Sequence, residues 1–263
     1  MSRPTVRELL DLKGVRQLSE VLVRTEDEAL ACEEAGIDLL ITVAGDQARK
    51  IRAAAPNTFL TMGILYGHCS SSTEAIKAGF AALNDGADAV YACMSIPFIE
   101  AMSNEGIPVV GHVGLVPQKR TWTGGFRAVG KTAEEALNVY QATVAHQEAG
   151  AFAVEMEVVP FEVASEISKR MELLVISMGS GNGCDAQYLF AEDILGTNRG
   201  HVPRHAKVYR NLSSELDRIQ KERVQAFREY QADVLSGTFP GAGNTVKIKA
   251  NEYKEFLKNI PSY

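Results

Sequence analysis

EAGAFAVE, residues 148–155, reads as the end of a helix, a glycine able to take the left-handed backbone that closes helices, and a short apolar strand. The same wording recurs at EAGIDLLI (34–41), NDGADAVY (84–91) and NEGIPVVG (104–111). Repeated helix–glycine–strand junctions mean repeated βα units, and hence a parallel sheet. Further strands are expected near Glu20–Val23, Thr58–Ile64 and Leu173–Met178. That makes seven candidates, one short of a closed barrel, and the 263-residue length suits the roughly 250 residues of such a fold. The predicted architecture is α/β, a (βα)8 TIM barrel. Residues 1–263 form a single barrel domain in this reading, with 205–263 as a C-terminal helical extension. That extension holds a charged amphipathic helix over 213–235 and a short helical tail around Glu252–Lys258. An open doubly wound sheet is the rival, and periodicity leaves both standing. Thr132 with Glu135 reads as a capping box, and Ser72 as the start of a helix running to Asn84.

Composition narrows the class. The chain is 46% hydrophobic and 23% charged with a net charge of −6, an ordinary globular balance, and its basic residues are scattered. Neither a nucleic-acid surface nor an anionic-membrane surface is expected from that pattern. No apolar run approaches the roughly 18 residues of a membrane span, and MSRPTVRELLDLKG lacks the apolar core of a signal peptide. The four cysteines, Cys32, Cys69, Cys93 and Cys184, show no CxxC pair and suit a reducing cytoplasm. A soluble cytoplasmic protein is expected.

The chemistry is expected around GIPVVGHVGLVPQKRTWTGGFRAVGKT (106–132). A buried strand, Pro108–Gly111, breaks at His112, and a loop carrying Lys119, Arg120, Arg127 and Lys131 follows. In a barrel every second side chain points inward, and the inward set near the strand ends floors the active site. Glu155 and Glu157 therefore share a face, with Glu155 one layer deeper and His112 on the neighbouring strand. Tyr91 and Cys93 hold the same kind of position one strand earlier. A carboxylate at a barrel mouth can serve as general base beside an imidazole that orients substrate or shuttles a proton. The plain alternative is an outward Glu155 paired with a lysine and a His112 bonded to backbone. MGSGNGCDAQ (178–187) reads as a glycine-rich strand-to-helix turn that could cradle an anion, without the dinucleotide-binding spacing. GILYGHCSSSTEA (63–75) offers His68 and Cys69 as an imidazole–thiol pair. The substrate-contact candidates are Tyr91, Cys93, Asp46, Glu155, Ser177 and His68, with Glu157 and His112 as the catalytic pair.

Several of these motifs, in the same order, resemble the ketopantoate hydroxymethyltransferase family. The likeness starts at TVRELLDLK (5–13) and runs through GHVGLVPQ, GGFRAVGKT and EEAGAFAVEMEVVP. It continues through ISMGSGNGCDAQYLFAEDILG, GHVPRHAKVY (200–209) and VLSGTFPG (234–241). The resemblance implies a barrel of the phosphoenolpyruvate/pyruvate superfamily and a homo-oligomer, often a decamer. It implies transfer of a one-carbon unit from 5,10-methylenetetrahydrofolate to the enolate of a small 2-oxo acid, in pantothenate biosynthesis. Glu157 matches the family's base and His112 its active-site histidine.

The first half departs from that pattern. The family's metal-binding Asp after the second strand falls on Ala44, and only a local shift brings in Asp46. Its second metal Asp falls on Gly63, and its KxEGG strand end reads Tyr91-Ala92-Cys93-Met94. Mg²⁺ prefers hard oxygen donors in octahedral array. Of the acids near the site only Asp46, Glu155 and Glu157 remain to meet that need. Three readings follow: a hydroxymethyltransferase or aldol relative acting on a 2-oxo acid, a metal-independent lyase, decarboxylase or isomerase on another carbonyl compound, or a non-catalytic barrel that binds a metabolite.

Overall fold

The computed structural model describes residues 3–261. Eight parallel strands close into a barrel in chain order: β1 (Leu18–Leu22), β2 (Leu39–Val43), β3 (Phe59–Ile64), β4 (Ala89–Ala92), β5 (Val109–Gly114), β6 (Ala153–Glu157), β7 (Leu174–Met178) and β8 (Ala186–Phe190). β8 pairs with β1 from Leu18↔Ala186 to Leu22↔Phe190, which settles the choice between barrel and open sheet. The helices are α1 (Val6–Asp11), α2 (Glu26–Ala35), α3 (Asp46–Ala54), α4 (Ser72–Asn84), α5 (Ile96–Asn104), α6 (Arg120–Thr123), α7 (Ala133–Glu148), α8 (Phe161–Arg170) and α9 (Ala191–Leu195). All four junction glycines behave as read: Gly36, Gly86, Gly106 and Gly150 have φ of 75°, 101°, 78° and 87°.

Strand parity sorts the side chains. β3, β6 and β7 are buried at every position, as parallel strands covered on both faces must be. Outward residues such as Leu40, Leu60, Met62 and Val90 pack into one cluster with residues of the surrounding helices, Ile51 and Ile99 among them. The first inward residue of each strand, from Leu18, Leu39 and Phe59 round to Leu174 and Ala186, gives an apolar floor. The second inward position changes character: Glu20, Tyr91, His112, Glu155 and Tyr188 all fall there. The third brings Cys93 and Glu157 toward the mouth. A barrel floor of hydrocarbon under a polar storey is what fixes the site.

Four local expectations change. The glycine-rich MGSGNGCDAQ segment joins β7 to β8, strand to strand, so no helix N-terminus follows it. The strand before the basic loop is β5, and it runs through His112 to Gly114 instead of breaking there. Ser71, not Ser72, caps α4, its hydroxyl accepting from Glu74 N at 3.3 Å. Thr132 caps α7, but the Glu135 carboxylate turns to Arg127 and to the Lys131 and Gly130 amides, so the box is only half formed.

Two compact units are distinguished, one ending at Arg210 and one beginning at Asn211. The second unit carries α10 (Leu212–Ser236) and α11 (Ala250–Asn259), neither of which buries a residue. Among the described residues no helix is long and apolar enough to cross a membrane.

Candidate active site

β5 and β6 pair in a register that sets His112 beside Glu155 and Gly114 beside Glu157. Because both strands present alternate residues inward, the imidazole lies between the two carboxylates. His112 Nδ1 is 3.3 Å from Glu155 Oε2, and Nε2 is 3.3 Å from Glu157 Oε2. Nε2 also lies 2.7 Å from the Leu115 carbonyl oxygen. A carbonyl can only accept, so Nε2 carries a proton. Nδ1 lies 2.9 Å from the Tyr91 hydroxyl.

Burial alone would depress the His112 pKa. The hydrogen bonds that His112 donates to Glu155 and Glu157, with the Glu155 charge, outweigh it and hold His112 well above the ordinary imidazole range. The ring is therefore an imidazolium with a carboxylate at each nitrogen. Burial also raises Glu155, and the imidazolium beside it opposes that rise. Tyr91 and Tyr188 are pushed well up, chiefly by burial, and stay protonated.

The end of β6 is shaped by strain. Val158, directly after Glu157, has φ of 50°, a conformation a β-branched residue adopts at a cost of roughly 1–3 kcal/mol. It is held by Val158 N donating to Met178 O at 2.9 Å and Val129 N donating to Val158 O at 3.1 Å. One residue on, Val159 N donates to Ser180 Oγ (3.0 Å), whose hydroxyl donates to Met156 O (2.8 Å). The turn that aims Glu157 is thus clamped from the β7–β8 loop. Ser180 escaped the sequence reading, since a serine between glycines carries no periodic signal.

A cavity of about 220 Å³ opens at this mouth, lined by Tyr91, Cys93, His112, Glu155 and Glu157 with apolar walls from Leu22, Ile41 and Met178. Five of the sequence candidates therefore meet there. The other three do not. Ser177 has outward parity, between the inward Ile176 and Met178, and its hydroxyl accepts from Ser180 N at 3.1 Å. Asp46 opens α3, is 91% exposed at its side chain and pairs with Arg49. His68 is exposed on the β3–α4 loop, beside a separate groove formed with Cys69 and Glu74. The Cys69 thiol is raised by burial and by Glu74, the wrong direction for a thiolate nucleophile. Two of the four basic loop residues are also committed elsewhere: Arg127 pairs with Glu135 at 2.8 Å, and Arg120 lies over the Phe126 ring.

Glu20 also escaped the sequence reading. It is only 2% exposed, on the inward face of β1 between Leu18 and Leu22, register partner of Tyr188. Leucines two residues either side of an acid in a short strand were the available signal.

The donor set does not fit Mg²⁺. The mouth ends of β2, β3 and β4 present Val43, Gly63 and Cys93, with no hard oxygen side chain among them. Glu155 and Glu157 are both engaged by a cationic imidazole. Among the described residues no group of three or more His, Cys, Asp or Glu is disposed to hold an ion.

A closed barrel of eight parallel strands is also the fold of several solved enzymes. The fold resembles a phosphonopyruvate hydrolase solved with oxalate and Mg²⁺, at TM-score 0.55 and 10% identity, covering 97% of this chain and 98% of that one. It also resembles 2,3-dimethylmalate lyase, itself a phosphoenolpyruvate mutase/isocitrate lyase superfamily member, at TM-score 0.51 and 12% identity over 97% and 92% of the two chains. Sequence narrows the placement. The family model for ketopantoate hydroxymethyltransferase matches residues 33–242. The 3-methyl-2-oxobutanoate hydroxymethyltransferase of Deinococcus radiodurans is 36% identical over 207 residues, 76% of this chain and 70% of its own. That of Nitrosopumilus maritimus is 30% identical over 98% of this chain and 99% of its own. The chain belongs to the ketopantoate hydroxymethyltransferase family.

Proposed function

We propose that this chain is an enzyme that makes or breaks a C–C bond beside the carbonyl of a small 2-oxo acid through an enolate, with Glu157 as general base. The observation that carries the reading is the Glu157–His112 pair at the floor of a small, apolar-walled cavity, on the strand ends where barrel enzymes keep their chemistry. Glu157 takes a proton from the carbon next to the carbonyl, and the C–H electron pair moves into the C=O to give the enolate. The His112 imidazolium lies 3.3 Å from Glu157 Oε2, so a cation sits beside the base before substrate arrives. The volume, about 220 Å³, lies below the roughly 300–1,000 Å³ of drug-sized ligand pockets and suits a substrate of a few carbons.

5,10-methylenetetrahydrofolate, when bound, supplies the one-carbon unit. Leu65 and Tyr66 line the cavity and are 61% and 49% exposed, an apolar and aromatic rim suited to a flat heterocycle. We assign the barrel and the 205–263 extension to one cytoplasmic domain that assembles as a homo-oligomer, by resemblance a decamer. The wholly unburied α10, with Leu216, Phe227 and Leu235 exposed, supports assembly.

One observation favours a second reading, metal-independent chemistry on a different carbonyl compound. No Lys or Arg is among the cavity's described lining residues, and two carboxylates are, so a substrate carboxylate meets His112 as its one cationic side chain.

The test is α-proton exchange in D2O followed by proton NMR, with 3-methyl-2-oxobutanoate and its uncharged analogue 3-methylbutan-2-one, each with Mg²⁺ or with chelator. Exchange of the oxo acid that falls about 10²–10⁴-fold in Glu157→Gln supports the first reading. Exchange confined to the ketone supports the second. Full exchange in Glu157→Gln removes Glu157 as base.

A further inference from the structure

We propose that Glu20 is a positioning residue of this site: a neutral carboxylic acid inside the barrel that donates its proton to Glu155 and so completes a chain Glu20–Glu155–His112–Glu157. The inference rests on the reading of Glu157 as base, and it adds a role for two acids which that reading leaves unused.

The geometry demands an extra proton here. Glu20 and Glu155 are each 2% exposed, on the second inward position of their strands. Glu155 Oε2 is taken by His112, but Glu155 Oε1 and Glu20 Oε2 are both buried without any hydrogen-bond partner. Two carboxylates could not leave both oxygens bare in a hydrocarbon-floored barrel, because a carboxylate only accepts and unpaired buried charge is among the costliest things a fold can hold. A single proton answers both needs: on Glu20 it becomes a donor, and Glu155 Oε1 is the unfilled acceptor.

Which acid holds the proton follows from the neighbours. The titratable groups facing this storey are Tyr91 and Cys93 of β4, His112 of β5, Glu155 and Glu157 of β6 and Tyr188 of β8. Among the described residues facing this storey the cation is His112, which lies against Glu155 and Glu157, while Arg24, whose charge reaches Tyr188, pairs with Glu192 at 3.7 Å. Glu20 has no such partner, and burial together with the Glu155 charge pushes it well above the carboxylate range. The proton stays on Glu20, and Glu155 stays ionised.

Function follows through Glu155. A hydrogen bond from Glu20 stabilises the Glu155 carboxylate, so the Nδ1 proton remains on His112 instead of moving to Glu155. His112 stays cationic beside Glu157. Without the Glu20 donor the pair relaxes to a neutral acid facing a neutral imidazole, and the mouth loses the cation beside its base.

The experiment uses the full-length protein labelled with 13C at glutamate Cδ and with 15N at histidine. The Glu20 carboxyl resonance is assigned by its loss in Glu20→Gln, and the His112 ring nitrogens by their loss in His112→Asn. The expected result at pH 7 is a Glu20 carboxyl at the protonated position and both His112 nitrogens protonated. An ionised Glu20, or an unprotonated Nδ1, overturns the proposal on the wild-type protein alone, whether or not any variant folds. In Glu20→Leu the Nδ1 signal should move to the unprotonated position, while Glu20→Gln, whose amide still donates, keeps it protonated. The alkaline limb of α-proton exchange should move down by about one pH unit or more in Glu20→Leu and stay near wild type in Glu20→Gln. Identical His112 signals in wild type and Glu20→Leu also overturn it. Loss of all exchange in the wild type would count against the proposed reaction, and the resonances would still decide the role of Glu20.

Discussion

Gly114→Ala is the substitution most directly set against the fold of the site. Gly114 ends β5 opposite Glu157 and has φ of 87°. A Cβ there would sit 2.4 Å from the Glu157 carbonyl oxygen and 2.8 Å from Val159 Cγ2. The first neighbour is backbone and cannot swing aside. Two costs add: about 1–2 kcal/mol for an L-residue in the left-handed region, and about 1–3 kcal/mol for overpacking. The expected destabilisation is therefore about 2–5 kcal/mol. The clash also strikes the site, since Leu115 N donates to that Glu157 oxygen at 2.8 Å and Leu115 O accepts from His112. Gly124→Ala is the control, because Gly124 shares a positive φ, 74°, but a Cβ there meets nothing within 4 Å. Urea unfolding followed by circular dichroism should show the Gly114→Ala midpoint lower by on the order of 1 M, and the control by clearly less. Equal midpoints for the two variants would refute the argument that β5–β6 approach, and not backbone strain alone, requires glycine.

Ser180→Ala removes an acceptor from Val159 N and a donor to Met156 O, both buried, and should cost about 1–3 kcal/mol of apparent stability in the same assay. A wild-type midpoint would count against the clamp. Glu20 and Glu155 have folded pKa values raised above the unfolded 4.5 and His112 above 6.5, so in all three cases the folded state binds protons more tightly. Their contribution is present at low pH and declines as pH rises through the folded values. From pH 5 to 8 stability should fall, and less steeply in Glu20→Gln; a steeper fall there would reverse the assigned sign. On the acid side Glu33 and Asp38, depressed despite partial burial by hydrogen bonds to Asn57 and Arg16, lose their contribution as pH drops through those lowered values. Cys32 and Cys184 are pushed to about 11 and about 12 chiefly by burial, so iodoacetamide at pH 8 should label the less buried Cys69 first, as peptide mass spectrometry would read directly.

The amino-acid order by itself carried the repeat of helix, glycine and strand, and with it the parallel sheet, because a helix end and a half-turn of left-handed backbone are local events; closure into a barrel was decided by the β8–β1 pairing. It also carried the pairing of Glu155 with Glu157, since period-two alternation needs no knowledge of neighbours. The eighth strand was hidden because AQYLF follows a glycine-rich loop with no helix between, so the repeating signal was absent. Ser177, Asp46 and His68 were misplaced for a related reason: nearness to a strand end in sequence does not say which face a residue takes or where a loop carries it. What only the tertiary structure decided was the company of Glu20. An acid on β1 and another on β6 lie more than a hundred residues apart, and closure of the sheet, β8 onto β1, brings them into one buried storey. Their protonation is a property of that enclosure, where water is excluded and each oxygen must find its partner inside the protein.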